Sequence, residues 1–124
     1  MEYIFVFLGA GLGGAFRHGV NVLALRLFGS GYPSGTLTVN IVGSLVMGLL
    51  IGWFAHKADP GQSWRLFLTT GILGGFTTFS TFSLDVAVLY ERGEVVAAAI
   101  YAALSVVLAI SGLFAGLYII RNFS

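Results

Sequence analysis

The chain has 124 residues, 57% of them hydrophobic and 9% charged, with a formal net charge of +1 and no cysteine. Ordinary soluble domains carry roughly 25% charged residues, and the mean hydropathy of +0.95 points away from them as well. The composition describes an integral membrane protein of a single domain, residues 1–124. It excludes disulfides, thiolate metal sites and a basic nucleic-acid-binding surface.

Met1-Glu2-Tyr3 lacks the cationic region of a secretory signal, so the first apolar segment is expected to stay in the mature protein. Crossing the hydrocarbon takes about 20 apolar residues. Residues 3–16 are too few, and the first span is expected to run through Arg17 and His18 to about Phe28. A glycine-rich turn follows, from Gly29 to Gly35, and the second span runs from about Thr36 to Ala55. The loop His56 to Ser63 holds Asp59-Pro60-Gly61, and Ser63 stands where an N-cap would start the next helix. The third span covers about Trp64 to Tyr90, a short turn spans Glu91 to Glu94, and the fourth span covers about Val95 to Ile120. The expected fold is all-α, with four transmembrane helices, short loops and both termini on one side.

The third span is longer than a straight crossing requires at about 1.5 Å per residue. A non-helical interruption at Gly74-Gly75 would absorb the excess; a tilted continuous helix is the alternative. The stretch Gly74 to Ser83 carries five hydroxyls and three phenylalanines besides its glycines. In a bilayer each hydroxyl needs a partner and each glycine weakens a helix. The cluster therefore reads as a broken helix lining an anion path.

Lysine and arginine in the loops normally orient a membrane chain. Lys57, Arg65 and Arg121 lie on the side of the termini and Arg17, Arg26 and Arg92 on the other, so neither side is favoured. Such a chain can insert both ways up, and two opposed copies can pair, supplying the inverted symmetry that larger transporters encode as repeats. A topology fixed by a partner is the other explanation of a weak bias.

Gly9, Gly11 and Gly14 match a dinucleotide-binding pattern, but no strand precedes them and no acid follows at the needed distance. Gly9 with Gly13, Gly112 with Gly116, and Ser44 with Gly48 and Gly52 instead have the spacing that lets membrane helices approach closely. Thr36, Asn40 and Ser44 share one face of the second span. Asparagine at membrane depth points to an interior or a water path, whereas hydroxyls can bond back to their own helix. Tyr101 and Ser105 extend a polar stripe on the fourth span; Ser111 points elsewhere. Phe79 and Phe82, which flank Ser80 and Thr81, can serve as packing residues. Their ring edges also carry positive quadrupole character, and with hydroxyl donors they can coat a path for a small anion without trapping it. Arg17 either snorkels or gives a vestibule a positive potential. Asp85 can accept from a nearby hydroxyl and so organise donors, or pair with an arginine. His18 and His56 look interfacial, with no second ligand at a transition-metal spacing.

Three motifs together resemble the Fluc (also called CrcB) family of fluoride channels. They are Gly13-Gly14-Ala15 with Arg17, Gly35 to Asn40 with Gly43, and Gly71 with Gly74 to Phe82. The resemblance covers nearly the whole chain. It implies an antiparallel, dual-topology homodimer in the cell's inner (plasma) membrane, passing fluoride passively out of the cytoplasm. It also implies a structural Na⁺ held by backbone carbonyls of Gly74 and Thr77 from both subunits. The implied pore comprises Asn40, Phe79 and Phe82, a polar track of Thr36, Tyr101 and Ser105, and a cluster of Ser80, Thr81 and Asp85. Arg17 takes the vestibule position. Two positions depart from the family pattern: Ala109 replaces a hydroxyl and Asp85 a glutamate. A proton-coupled exporter of cations would need an intramembrane carboxylate, for which Asp85 is the sole candidate. A structural subunit of a larger assembly is the third reading. Nothing in the chain suggests an enzyme.

Overall fold

A computed structural model of the chain describes residues 2–29, 31–56 and 59–123. Lys57 of the charge count and the side chain of His56 lie outside the described set. All regular elements among the described residues are helical. Helix α1 is Glu2–Phe28 and α2 is Ser34–His56. Helix α3 covers residues 62–76 as Gln62–Arg65, a π-helical run Leu66–Leu73, and Gly74–Phe76. Helix α4 is Ser80–Glu91 and α5 is Val95–Phe123.

Ser34–Ala55, Gln62–Glu91 and Val95–Asn122 are long and apolar enough to cross a membrane. Helix α1 is as long as these, at 27 residues, but Glu2, Arg17, His18 and Arg26 make it less apolar. Large apolar side chains such as Phe7, Phe16 and Phe114 point outward along the helices. That distribution would aggregate in water and suits a chain whose solvent is lipid.

Glycine closes two helices. Gly29, at φ 76°, sends its N–H to the Leu25 carbonyl at 2.9 Å. Gly93, at φ 83°, lets the Glu94 N–H reach back to the Leu89 carbonyl at 3.0 Å. Both satisfy last-turn acceptors as left-handed caps do. Ser63 does not cap α3, which begins one residue earlier at Gln62 with Gly61 in the cap position and no side-chain cap bond. The loop is closed by Asp59 instead, whose carboxylate accepts the Gly61 N–H at 2.9 Å and pairs with Arg65 at 3.3 Å. The Gly61 N–H first, and then Arg65, hold that carboxyl below its ordinary value.

Close backbone approach sets the packing. A Cβ on Gly48 would strike the Leu113 carbonyl and one on Gly116 the Leu45 carbonyl, so α2 and α5 lie against each other. A Cβ on Gly9 would fall 2.9 Å from the Gly71 Cα, and one on Gly13 would strike the Ile72 carbonyl, which seats α1 on the π-helical run. These are the small-residue contacts expected at such spacing. Gly11 and Gly14 have open space around them and take no part in this packing. The π-helical run had no signature in the sequence. Within it Thr69 donates to the Arg65 carbonyl at 2.6 Å, while Gly71 and Leu73 turn inward.

Candidate functional site

Between α3 and α4 the backbone leaves the helix. Thr77 is extended, at φ −87° and ψ 160°, and the helix resumes at Ser80. The sequence suggested Gly74-Gly75 as the interruption, but both glycines are helical and the non-helical residues are Thr77 to Phe79. Gly75 serves packing: a Cβ there would strike the Ala10 carbonyl of α1. The break is seated against α2 in the same manner, because the Thr77 methyl fills the space a Cβ on Gly43 would need.

A backbone break inside an apolar segment frees polar groups that lipid cannot satisfy, at several kcal/mol each. Here side chains from other helices take them up. Asn40 pairs with Thr78 in both directions, its Nδ2 donating to the Thr78 carbonyl at 2.9 Å and its Oδ1 accepting the Thr78 N–H at 2.8 Å. Arg17 Nε donates to the Gly75 carbonyl at 3.1 Å. The Thr77 N–H and hydroxyl both donate to the Leu73 carbonyl at 3.0 Å. The Thr78 hydroxyl accepts the Thr81 N–H at 3.1 Å and so caps the first turn of α4. Among the described residues no hydrogen bond reaches the carbonyls of Gly74 and Thr77. Uncharged oxygen acceptors of this kind suit a hard monovalent cation.

Beside the break stands a ladder of rings. Phe79 and Phe82 have centroids 5.3 Å apart, Phe82 and Tyr101 5.4 Å, and Tyr101 and Tyr32 5.7 Å in an edge-to-face arrangement. Phe82 and Tyr101 are buried with Leu89 and Ala98 in the apolar core, whereas Phe79 is 75% exposed. The Tyr101 hydroxyl donates to Asp85 Oδ2 at 3.0 Å.

Two open cavities flank the ladder. The larger, about 470 Å³, is lined by Asn40, Ser44, Thr78, Phe79, Phe82 and Ser105 among others. Ser105 is only 5% exposed, and its hydroxyl has no hydrogen-bond partner among the described residues. The smaller, about 200 Å³, is lined by Thr36 and Asp85, and Asn21, Tyr32 and Arg92 also border it. Tyr101 contacts Phe82 on one cavity and Asp85 on the other, and so stands between them. The fold therefore brings together Asn40, Phe79, Phe82, Thr36, Asp85, Tyr101 and Ser105. Ser80 and Thr81 line neither cavity; Ser80 is exposed, its hydroxyl 3.4 Å from that of Thr78. Arg17 also lines neither and is held on Gly75.

The family model described as CrcB-like protein, Camphor Resistance (CrcB), matches residues 4–117. The chain belongs to the CrcB family. It is 62% identical over 123 residues to the fluoride-specific ion channel FluC of Methylobacterium nodulans, covering 99% of this chain and 98% of the relative. It is 59% identical over 121 residues to FluC of Rhodopseudomonas palustris, covering 98% of each. Its identity to FluC 2 of Nitrobacter hamburgensis is 56% over 122 residues, again 98% of each. In this CrcB chain the sequence reading missed Thr78 and Tyr32. Thr78 had a signal, a hydroxyl three residues before Thr81 at N-cap spacing. Tyr32 had none, because its edge contact with Tyr101 comes from the way the turn folds back on α5.

Proposed function

We propose that this CrcB chain is a fluoride-selective channel that lets fluoride leave the cytoplasm passively through the cell's inner membrane. Support comes first from relatives that match nearly its whole length at 52–62% identity and are named as fluoride-specific ion channels. The observation that carries the reading in this chain is the break held by Asn40 and Thr78 beside the ring ladder. No covalent chemistry is needed, and the protein acts as a channel rather than an enzyme.

In this mechanism fluoride exchanges its water for the unpartnered Ser105 hydroxyl, the rims of Phe79 and Phe82, and the remaining N–H of Asn40. Thr36, Tyr101 and Asp85 continue the route toward the smaller cavity, and Ser80 and Thr81 supply hydroxyls where the break meets a second copy. Weak contacts repeated along a narrow route favour conduction over trapping. Four spans, the third broken, form each subunit, and two subunits pair antiparallel. The carbonyls of Gly74 and Thr77 from both copies would hold a structural Na⁺ at their interface, where backbone oxygens bind without adding charge.

Efflux of fluoride and of chloride from liposomes containing only the purified protein tests the reading. Fluoride is expected to leave and chloride to stay, without a proton gradient. Phe82→Ile is expected to abolish fluoride efflux while the protein keeps its assembled size. Proton-coupled cation uptake, or chloride flux equal to fluoride flux, would refute the proposal.

A further inference from the structure

Arg17, the arginine the resemblance gives to the vestibule, has its Nε committed to the Gly75 carbonyl and borders neither cavity. The cation that does border a cavity is Arg92, in the turn after α4, on the rim of the 200 Å³ cavity whose wall also holds Thr36 and Asp85. We propose that Arg92 is the residue that draws anions into this mouth, and that Glu94 attenuates it. The inference rests on the fluoride-channel reading given above.

Arg92 and Asp85 are about two helical turns apart, roughly 10 Å along the axis. The Asp85 carboxylate lies deeper and repels an anion, although the Tyr101 hydroxyl bonded to it spreads part of its charge. At the rim the guanidinium is half-exposed and only loosely paired, with its Nη1 3.5 Å from Glu94 Oε2. An ion pair at that length and exposure is weak and leaves most of the guanidinium's donors available. Asn21, Tyr32 and Ser34 complete the wall with neutral polar groups, so Arg92 is the cation among the described residues lining this cavity. Arg26 and Glu91 lie at the same end of the molecule but outside its wall. One charge about 10 Å from an ion's route changes its local concentration about twofold in water, and more where low-dielectric walls focus the field. Added salt should erase the effect, because the screening length is about 8 Å at physiological ionic strength.

The test is the initial rate of fluoride efflux from proteoliposomes, measured at low and at high concentration of an impermeant salt. Arg92→Gln is expected to slow efflux about two- to tenfold at low salt, with the deficit vanishing near 1 M. Arg92→Lys should recover most of the rate, Glu94→Gln should raise it at low salt, and Arg26→Gln should match the parent protein. An Arg92→Gln rate equal to that of the parent at low salt overturns the inference. So does a deficit that salt does not relieve, or one that Arg26→Gln reproduces. A parent protein that passes no fluoride removes the proposed function and this inference together. A conducting parent matched by Arg92→Gln removes this inference alone.

Discussion

The chain leaves the helix twice on its way from α3 to α5, and the two places are built differently. At Arg92 to Glu94 the turn is closed from within. Gly93 takes a positive φ, and the Glu94 N–H returns to Leu89 on the same helix. At Thr77 to Phe79 no residue has a positive φ, and the freed groups are met by Asn40 of α2 and Arg17 of α1. A turn at the membrane edge has water available and needs only local chemistry. A break within an apolar segment needs partners brought from elsewhere in the fold. The backbone of the first should tolerate a change at Gly93, and the second should transmit a change to the rings beside it.

The largest expected effect is at Asn40. Asn40→Ala removes both bonds to the Thr78 backbone, a loss on the order of 3 kcal/mol that favours a rewound helix, and should abolish fluoride efflux. Asn40→Asp keeps the acceptor for the Thr78 N–H but sets a carboxylate oxygen against the Thr78 carbonyl, so it should fail as well. Efflux and thermal unfolding in detergent read both variants. Next is a contrast between adjacent glycines. Gly75→Ala drives a methyl onto the Ala10 backbone and should cost about 1–3 kcal/mol. Gly74→Ala meets only the Thr69 carbonyl at 3.7 Å and should leave the stability of the fold unchanged or slightly raised. Equal unfolding temperatures for the two would contradict the packing role given to Gly75.

Thr78→Val, which keeps the shape and removes the cap acceptor for Thr81, should cost about 1 kcal/mol and slow efflux without abolishing it. The smallest effect on flux belongs to the backbone of the local turn, apart from the charges of Arg92 and Glu94. Gly93→Ala should also cost about 1 kcal/mol, through its positive φ, yet leave efflux at the parent rate. Should Gly93→Ala slow flux as much as Thr78→Val, the distinction between the two turns would lose its meaning.

Much of this was legible in the sequence. Apolar run lengths and the Gly, Pro and Asp clusters placed the outer ends of the apolar segments within two or three residues. The hydroxyls and phenylalanines after Gly75 marked the neighbourhood where the backbone leaves the helix and the ring ladder begins. The exact residues of the break were not legible there, since a glycine pair signals unwinding and close packing alike. What distinguishes them is Ala10, more than sixty residues upstream and visible only once α1 is docked. The Arg17–Gly75 contact was not legible for the same reason, because the partner is a backbone carbonyl, and sequence gives no sign of which carbonyls go unpaired. Ser63 looked like a cap by residue type, but the Asp59 side chain had already shaped the loop around Gly61. The π-helical run follows from tertiary fit and carries no compositional mark.

The reciprocal Asn40–Thr78 pair joins residues 38 apart in sequence. During biogenesis the apolar segment Gln62–Glu91 therefore has no reason to unwind until α2 is alongside it; before that, a continuous helix is the cheaper state in lipid. The fluoride route and the bundle that contains it are then expected to mature together. Cysteine labelling at position 78 in the Asn40→Ala variant would check this, with protection from aqueous reagents expected where the parent protein is reactive.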